Sequence, residues 1–181
     1  MTYSECRQVE MKALDLIRKY FKDKKDAGGD DYVLHLYKVA DGVQKEMDYE
    51  VVDQKSTLAT FYRKAYIVAL LHDILEDTPC TEDELREIGC DDEIIDAIKS
   101  VTRRKEEQFY FDFIERASRN DIGRIVKKYD LEHNMDIRRL TKFDDYEQKR
   151  LKKYWYSWKY LKGDISAVQA NNTIHPNRLF R

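Results

Sequence analysis

Apolar residues along this chain recur mostly at helical spacing. Val9, Ala13, Leu16, Ile17 and Tyr20 form a first stripe, preceded by Thr2-x-x-Glu5, which has the form of a capping box. This helix is predicted to run into Lys22-Asp23-Lys24-Lys25-Asp26 and to stop near Gly28-Gly29. A second helix is predicted to start at Asp30 or Asp31, with Val33, Leu36, Tyr37, Ala40 and Val43 on its buried face. Residues 44–57 then read as a helix end plus a loop. From about Leu58 to Leu75 the apolar residues spread onto both helical faces, so this helix is predicted to be buried, with Thr78-Pro79 ending it.

Thr81-x-x-Glu84 caps a short helix to Ile88, and Gly89 stops it. Ile94, Ile95, Ala97, Ile98 and Val101 supply the next helix, which ends at the basic run Arg103-Arg104-Lys105. Further helices are expected over Glu106 to Ser118 and from a cap at Asn120 or Asp121 onward, the latter carrying Ile122, Ile125, Val126, Tyr129, Met135 and Ile137. A long aromatic-rich helix from Asp144 to about Leu161 is closed by Gly163, its aromatic stripe read as core. Residues 164–181 show no helical period and read as a loose arm or a docked extended segment. No strand and no internal repeat stands out. The expectation is an all-α fold of about eight helices over residues 1–163, with a C-terminal tail over 164–181.

Composition sharpens this only in part. At 181 residues one domain with a sizeable core is expected. Charged residues make up 38% of the chain and there are only 6 Gly and 2 Pro, a helical balance. The formal net charge of −2 argues against a general nucleic-acid binder while leaving room for a local basic pocket. No apolar run is long enough to cross a bilayer, and Met1 to Glu10 has no signal-peptide core. Cys6, Cys80 and Cys90 lack metal-finger spacing and read as reduced thiols, so a cytoplasmic protein is expected.

The chemistry gathers at three places. The buried helix ends in His72-Asp73, with Glu76 and Asp77 one turn further on, so four ionisable groups share one neighbourhood. Such groups at the end of a buried helix are paired, hydrogen-bonded or metal-bound, or the helix has reached solvent. His35 lies in the apolar stripe of the second helix, where a lone histidine is commonly a core residue. Asp130 and Asn134, four apart, share a helix face. His35, His72, Asp73 and Asp130 together form a mixed nitrogen and oxygen set suited to a divalent transition metal with open positions for water and substrate. With no sulfur in the set, a structural zinc site is not expected. The lysines around Lys24 and Lys25 are either a solvated helix end or a basic wall for an anionic ligand.

The pattern His35 … His72-Asp73 … Asp130 resembles the HD-domain metal-dependent phosphohydrolases. The fuller motif, Ala69-Leu70-Leu71-His72-Asp73-Ile74-Leu75-Glu76-Asp77-Thr78, resembles the hydrolase domain of the RelA/SpoT homologues, in particular the small single-domain alarmone hydrolases. Lys24-Lys25-Asp26, Tyr32-Val33-Leu34-His35, Val101-Thr102 with the basic residues after it, Lys128-Tyr129-Asp130 through Asn134-Met135, and Arg150 to Tyr154 follow the same order as that family's segments. The resemblance covers about residues 9–162. Departures are a longer stretch between His35 and His72, Leu36 in place of proline, Lys24 in place of arginine, and Tyr129 in place of a small alanine.

The resemblance implies one Mn²⁺ held by His35, His72, Asp73 and Asp130, and hydrolysis of the 3′-pyrophosphate of the alarmone (p)ppGpp to GDP or GTP and pyrophosphate. It implies that Glu76 and Asp77 orient the attacking water and manage its proton. Lys24, Lys25, Arg104 and Lys105 would neutralise the phosphates, and Asn134 and Tyr154 would hold ribose or phosphate. The rival readings are another nucleotide phosphohydrolase (a nucleotidase, an NADPH phosphatase or a hydrolase of a phage-defence signalling nucleotide) and a silent nucleotide-binding sensor. A small nucleotide is the expected partner, with no nucleic acid and no membrane, and the oligomeric state stays open.

Overall fold

A computed structural model describes residues 1–53 and 56–178. The described residues are all-α. The helices are α1 (Tyr3–Phe21), α2 (Tyr32–Glu50), α3 (Thr57–Leu71), α4 (Ile74–Asp77), α5 (Glu82–Glu87), α6 (Asp92–Val101), α7 (Tyr110–Ser118), α8 (Asp121–Asn134), α9 (Asp145–Lys162) and α10 (Ala167–Ile174). A single 3₁₀ turn, Ile137–Arg139, follows α8. The only β-type pairing among the described residues is an isolated bridge between Lys25 and Asp31.

α3 is the hub, packing against α1, α2, α6 and α8. Its residues Ala65 and Ile67–Leu71 are fully buried, as its two-faced apolar pattern predicts. Two cations lie buried on the same helix, and both find carboxylates. Arg63 donates to Glu10 at 3.2 Å and to the Tyr3 hydroxyl at 2.9 Å. Lys64 donates to Asp91 at 2.6 Å and Glu93 at 2.5 Å. An unpaired charge at this depth would cost several kcal/mol, roughly, which is why these long side chains are tied down.

A second, smaller core lies beside the first. Phe111, Phe113 and Ile114 of α7, Leu131 of α8, Leu161 of α9 and Ala170 of α10 form it. α8 contributes Ile122, Ile125 and Val126 to the main core and Leu131 to the small one, so it runs along the seam between them.

Several boundaries differ from the expectation, each for a local reason. α1 stops at Phe21 rather than near Gly28. Residues 24–32 instead close a tight loop, in which the Asp26 amide donates to Asp30 O and the Tyr32 amide to Lys24 O. The Asp26 carboxylate accepts from the Gly28 and Asp30 amides and from Arg139 at 2.7 Å. Gly29 takes φ 92°, a left-handed turn conformation that glycine adopts freely. α7 begins at Tyr110, four residues later than expected.

The tail is also corrected. Residues 167–174 form a helix with a complete capping box, Ser166 to Gln169, and this helix packs on α9 and α7. The central helix likewise does not continue to Leu75; it breaks at His72-Asp73.

Candidate functional site

At that break the side chain of His72 bonds back to the helix end. Its Nδ1 lies 2.7 Å from Ala69 O. A carbonyl oxygen only accepts, so Nδ1 carries the proton and donates. The Ala69 carbonyl is the one that an unbroken helix would pair with the Asp73 amide, and Asp73 stands between α3 and α4. With a proton on Nδ1, His72 Nε2 is the nitrogen that faces inward.

There it meets the other expected ligands. His72 Nε2 is 3.1 Å from Asp73 Oδ2, 3.2 Å from His35 Nε2 and 3.6 Å from Asp130 Oδ1. His35 Nε2 is 3.2 Å from Asp130 Oδ1 and 3.6 Å from Asp73 Oδ2. His35, His72 and Asp73 form a group able to hold a metal ion, and Asp130 reaches both imidazoles. An ion with nitrogen and oxygen ligands at about 2.1 Å sets neighbouring ligand atoms roughly 3 to 3.5 Å apart. The five observed spacings, 3.1–3.6 Å, lie at or just above this range. His35, His72 and Asp130 are buried and Asp73 is nearly so.

The electrostatics point the same way. Burial alone would push the His72 imidazole down, but Asp73 and Asp130 outweigh it and raise it to about 10. Burial pushes Asp73 up, while His72 holds it at about 2. Asp130, buried against Lys127 and both histidines, is held well below the ordinary carboxylate range. The two carboxylates thus favour a positive charge at His72 Nε2, either a proton or a bound cation that displaces it and takes the lone pair.

A surrounding layer fixes the ligands. The Tyr32 hydroxyl donates to Asp73 Oδ2 at 2.6 Å. Lys127 Nζ donates to Asp130 Oδ2 at 2.6 Å, and Asn134 Nδ2 donates to Asp130 Oδ1 at 2.6 Å. His35 Nδ1 and His133 Nδ1 are 2.6 Å apart and share one proton. With that proton on His35, its Nε2 is left free to take a metal ion. Burial and the neighbouring His35 lower His133 to about 4, so it stays neutral and accepts.

His35, Asp73 and Asp130 open onto a cleft of about 380 Å³ whose lining carries both signs of charge. Its acids are Asp73, Glu76, Asp77 and Asp130 and its cations are Arg103, Lys127, Arg150 and Lys153, with Lys127 bonded to Asp130. Glu76 accepts from the Arg103 amide at 2.8 Å, and burial raises its carboxyl above the ordinary range, with Asp73 and Asp77 adding to the rise. Asp77 is ion-paired with Lys24 at 2.6 Å. A larger hollow of about 610 Å³ lies around Glu46 and contains none of the expected site residues.

The expected substrate-side residues divide. Asn134 and Tyr154 line the cleft. Lys24 stands at its edge, engaged with Asp77 and 4.3 Å above the Tyr32 ring. Lys25 pairs with Asp31 and lines a smaller adjoining hollow. Arg104 and Lys105 are exposed and do not line the cleft, and Arg103 takes that place because the chain turns there to bond Glu76. Sequence reasoning missed Tyr32, Arg103, Tyr110, Lys127, His133, Arg150 and Lys153. Lys127, Asp130 and Asn134 share one helix face, a signal that the sequence carries; the positions of Tyr110 and Arg103 need the fold. Tyr129 does not crowd the ion: its ring packs on Gly42 and its hydroxyl donates to Glu46 at 2.6 Å.

Comparison with protein-family models and with curated proteins returns no match.

Proposed function

We propose that this protein is a metal-dependent phosphohydrolase acting on a nucleotide, with the 3′-pyrophosphate of (p)ppGpp as the substrate of first choice and Mn²⁺ as the ion. One observation carries the reading: two imidazole nitrogens lie 3.2 Å from each other and 3.1–3.6 Å from one oxygen each of Asp73 and Asp130, beside a cleft lined by further acids and by cations.

A divalent ion held by His35, His72, Asp73 and Asp130 would supply Lewis acidity toward a phosphoryl oxygen and lower the pKa of water. The chain's own groups do the rest. Glu76, with a raised carboxyl held toward the cleft by the Arg103 amide, takes the proton as the water oxygen bonds to phosphorus. The bridging P–O bond breaks on the opposite side; the leaving oxygen takes a proton from solvent, and Glu76 returns the proton it took to solvent, so that no net proton is gained or lost in the site. Asp77, fixed by Lys24, orients the water. Tyr32, Lys127 and Asn134 hold the ligand carboxylates so that their oxygens do not swing toward the substrate. Arg103, Arg150 and Lys153 face the phosphate charge.

The test is product identification with Mn²⁺-loaded protein given ppGpp, pppGpp and NADPH. Pyrophosphate released from the alarmones is the expected result. Orthophosphate released from NADPH alone would move the substrate to another nucleotide class. Tight ppGpp binding without any product would overturn hydrolysis and leave a sensor. Asp73→Ala should yield a folded protein lacking both metal and turnover, and a variant that retained both would refute the site.

A further inference from the structure

Two groups on the cleft wall lack the partners that their burial calls for. The Tyr110 hydroxyl oxygen is buried and has no hydrogen-bond partner among the described residues. A buried hydroxyl left unpaired costs about 1–3 kcal/mol, so its place in a cleft needs an explanation. Lys153 is half-buried, and among the described residues no carboxylate pairs with it; its ammonium sits over the rings of Tyr110 at 4.4 Å and Tyr154 at 5.3 Å. The ionic groups acting on it are all cations, Arg103, Arg150 and Lys127, which together with burial lower its pKa. By contrast Lys127 is paired with Asp130 and Arg150 with Glu147.

An unpaired donor and an uncompensated cation therefore stand side by side in the wall of the cleft. Lys127, which shares the cleft and whose field acts on both groups, is bonded to the ligand Asp130.

We propose that the Tyr110 hydroxyl and the Lys153 ammonium form a subsite for an oxyanion of a phosphoryl group in the cleft beside His35, Asp73 and Asp130, with a small shift of the two side chains uncovering the hydroxyl. Tyr110 donates its O–H to a phosphate oxygen. Lys153 gives the same group a charge-assisted bond and gains the counter-charge that the protein does not provide. The rings of Tyr110 and Tyr154 stand beside it as a tilted pair with centroids 5.9 Å apart. The basic groove between α9 and α10, lined by Lys149, Arg150, Lys152 and Lys153, meets the cleft at Arg150 and Lys153 and gives the anion a way in. The role of this subsite in turnover rests on the phosphohydrolase reading; its existence as an anion site does not.

The experiment is calorimetric titration of the full-length, metal-free chain with inorganic pyrophosphate, which removes the ion as a competing anchor. Lys153→Met should weaken binding about tenfold or more, and Tyr110→Phe severalfold, as the loss of charge-assisted hydrogen bonds requires. Lys162→Met removes an equal charge from an exposed position of the same helix outside the groove and the cleft and should have little effect. Equal losses for Lys153→Met and Lys162→Met would reduce the site to diffuse attraction and overturn the proposal, as would unchanged binding by Tyr110→Phe. Far-ultraviolet melting curves identify any variant that has failed to fold; for such a variant, Lys153→Gln replaces Lys153→Met and is read by the same criterion. Pyrophosphate binding that depends on Lys153 and Tyr110, in a protein that hydrolyses no nucleotide, would support the subsite while refuting the hydrolase reading.

Discussion

The imidazole of His133 decides which nitrogen of His35 would face a bound ion. Metal-bound histidines usually donate their second N–H to a carboxylate, a carbonyl or water. His72 follows that habit through Ala69 O, while His35 uses a neutral imidazole 2.6 Å away. His133→Leu removes the acceptor, and Mn²⁺ affinity should fall about 10- to 100-fold. His133→Gln keeps a carbonyl acceptor and should restore part of it. The check is metal titration, with the visible spectrum of the Co²⁺-substituted protein as a report on ligand geometry; a His133→Leu protein with native affinity and spectrum would show that the contact is incidental.

Gly42 matters for a different reason. A Cβ there would lie 2.7 Å from Cγ of the Tyr129 ring, so Gly42→Ala should cost about 1–3 kcal/mol by overpacking. Urea unfolding measures it, and an unshifted midpoint would mean that the ring can yield.

Single residues also join elements. Glu46 of α2 accepts from Tyr62 of α3 at 3.2 Å and from Lys128 and Tyr129 of α8. Burial pushes its carboxyl up, but the Lys128 ammonium and the Tyr129 hydroxyl prevail and hold it below the ordinary range. The folded state therefore binds this proton less readily than the unfolded chain does. The stability from this joint is complete above about pH 4.3 and is lost as pH falls through the lower folded-state value. Glu46→Gln should be less stable than the parent by about 1–2 kcal/mol at pH 7, with the gap closing in acid. A gap constant with pH, measured by denaturant unfolding, would remove Glu46 from this role.

Element boundaries show where local signals suffice. Thr2, Thr81 and Asn120 cap α1, α5 and α8 as their side chains predict, because a cap is a contact within one turn. α10 was overlooked despite Ser166-x-x-Gln169, since eight residues make a marginal helix alone and this one is held by packing on α9 and α7.

At the scale of the whole molecule, an ion held by the four ligands would tie α2, the α3–α4 junction and α8 together at the seam of two cores. Binding to the folded state alone stabilises by mass action, about 2.7 kcal/mol at a hundred times Kd. Excess Mn²⁺ should raise the melting temperature, EDTA should reverse the rise, and Asp130→Asn should abolish it. A melting temperature indifferent to Mn²⁺ in the parent protein would count against the metal centre.

The helical periodicity, the caps and the run from Ala65 to Thr78 determined the all-α architecture, the burial of α3 and the candidate ligands, because each depends on spacing within a turn or two. Sequence alone does not show which cations meet at the cleft, that Tyr129 turns toward Gly42, that Arg103 rather than Arg104 or Lys105 lines the wall, or that His35 leans on His133. These depend on contacts between residues far apart in the chain, 98 positions apart for His35 and His133, and only the packing of α2, α7, α8 and α9 around α3 and each other decides them.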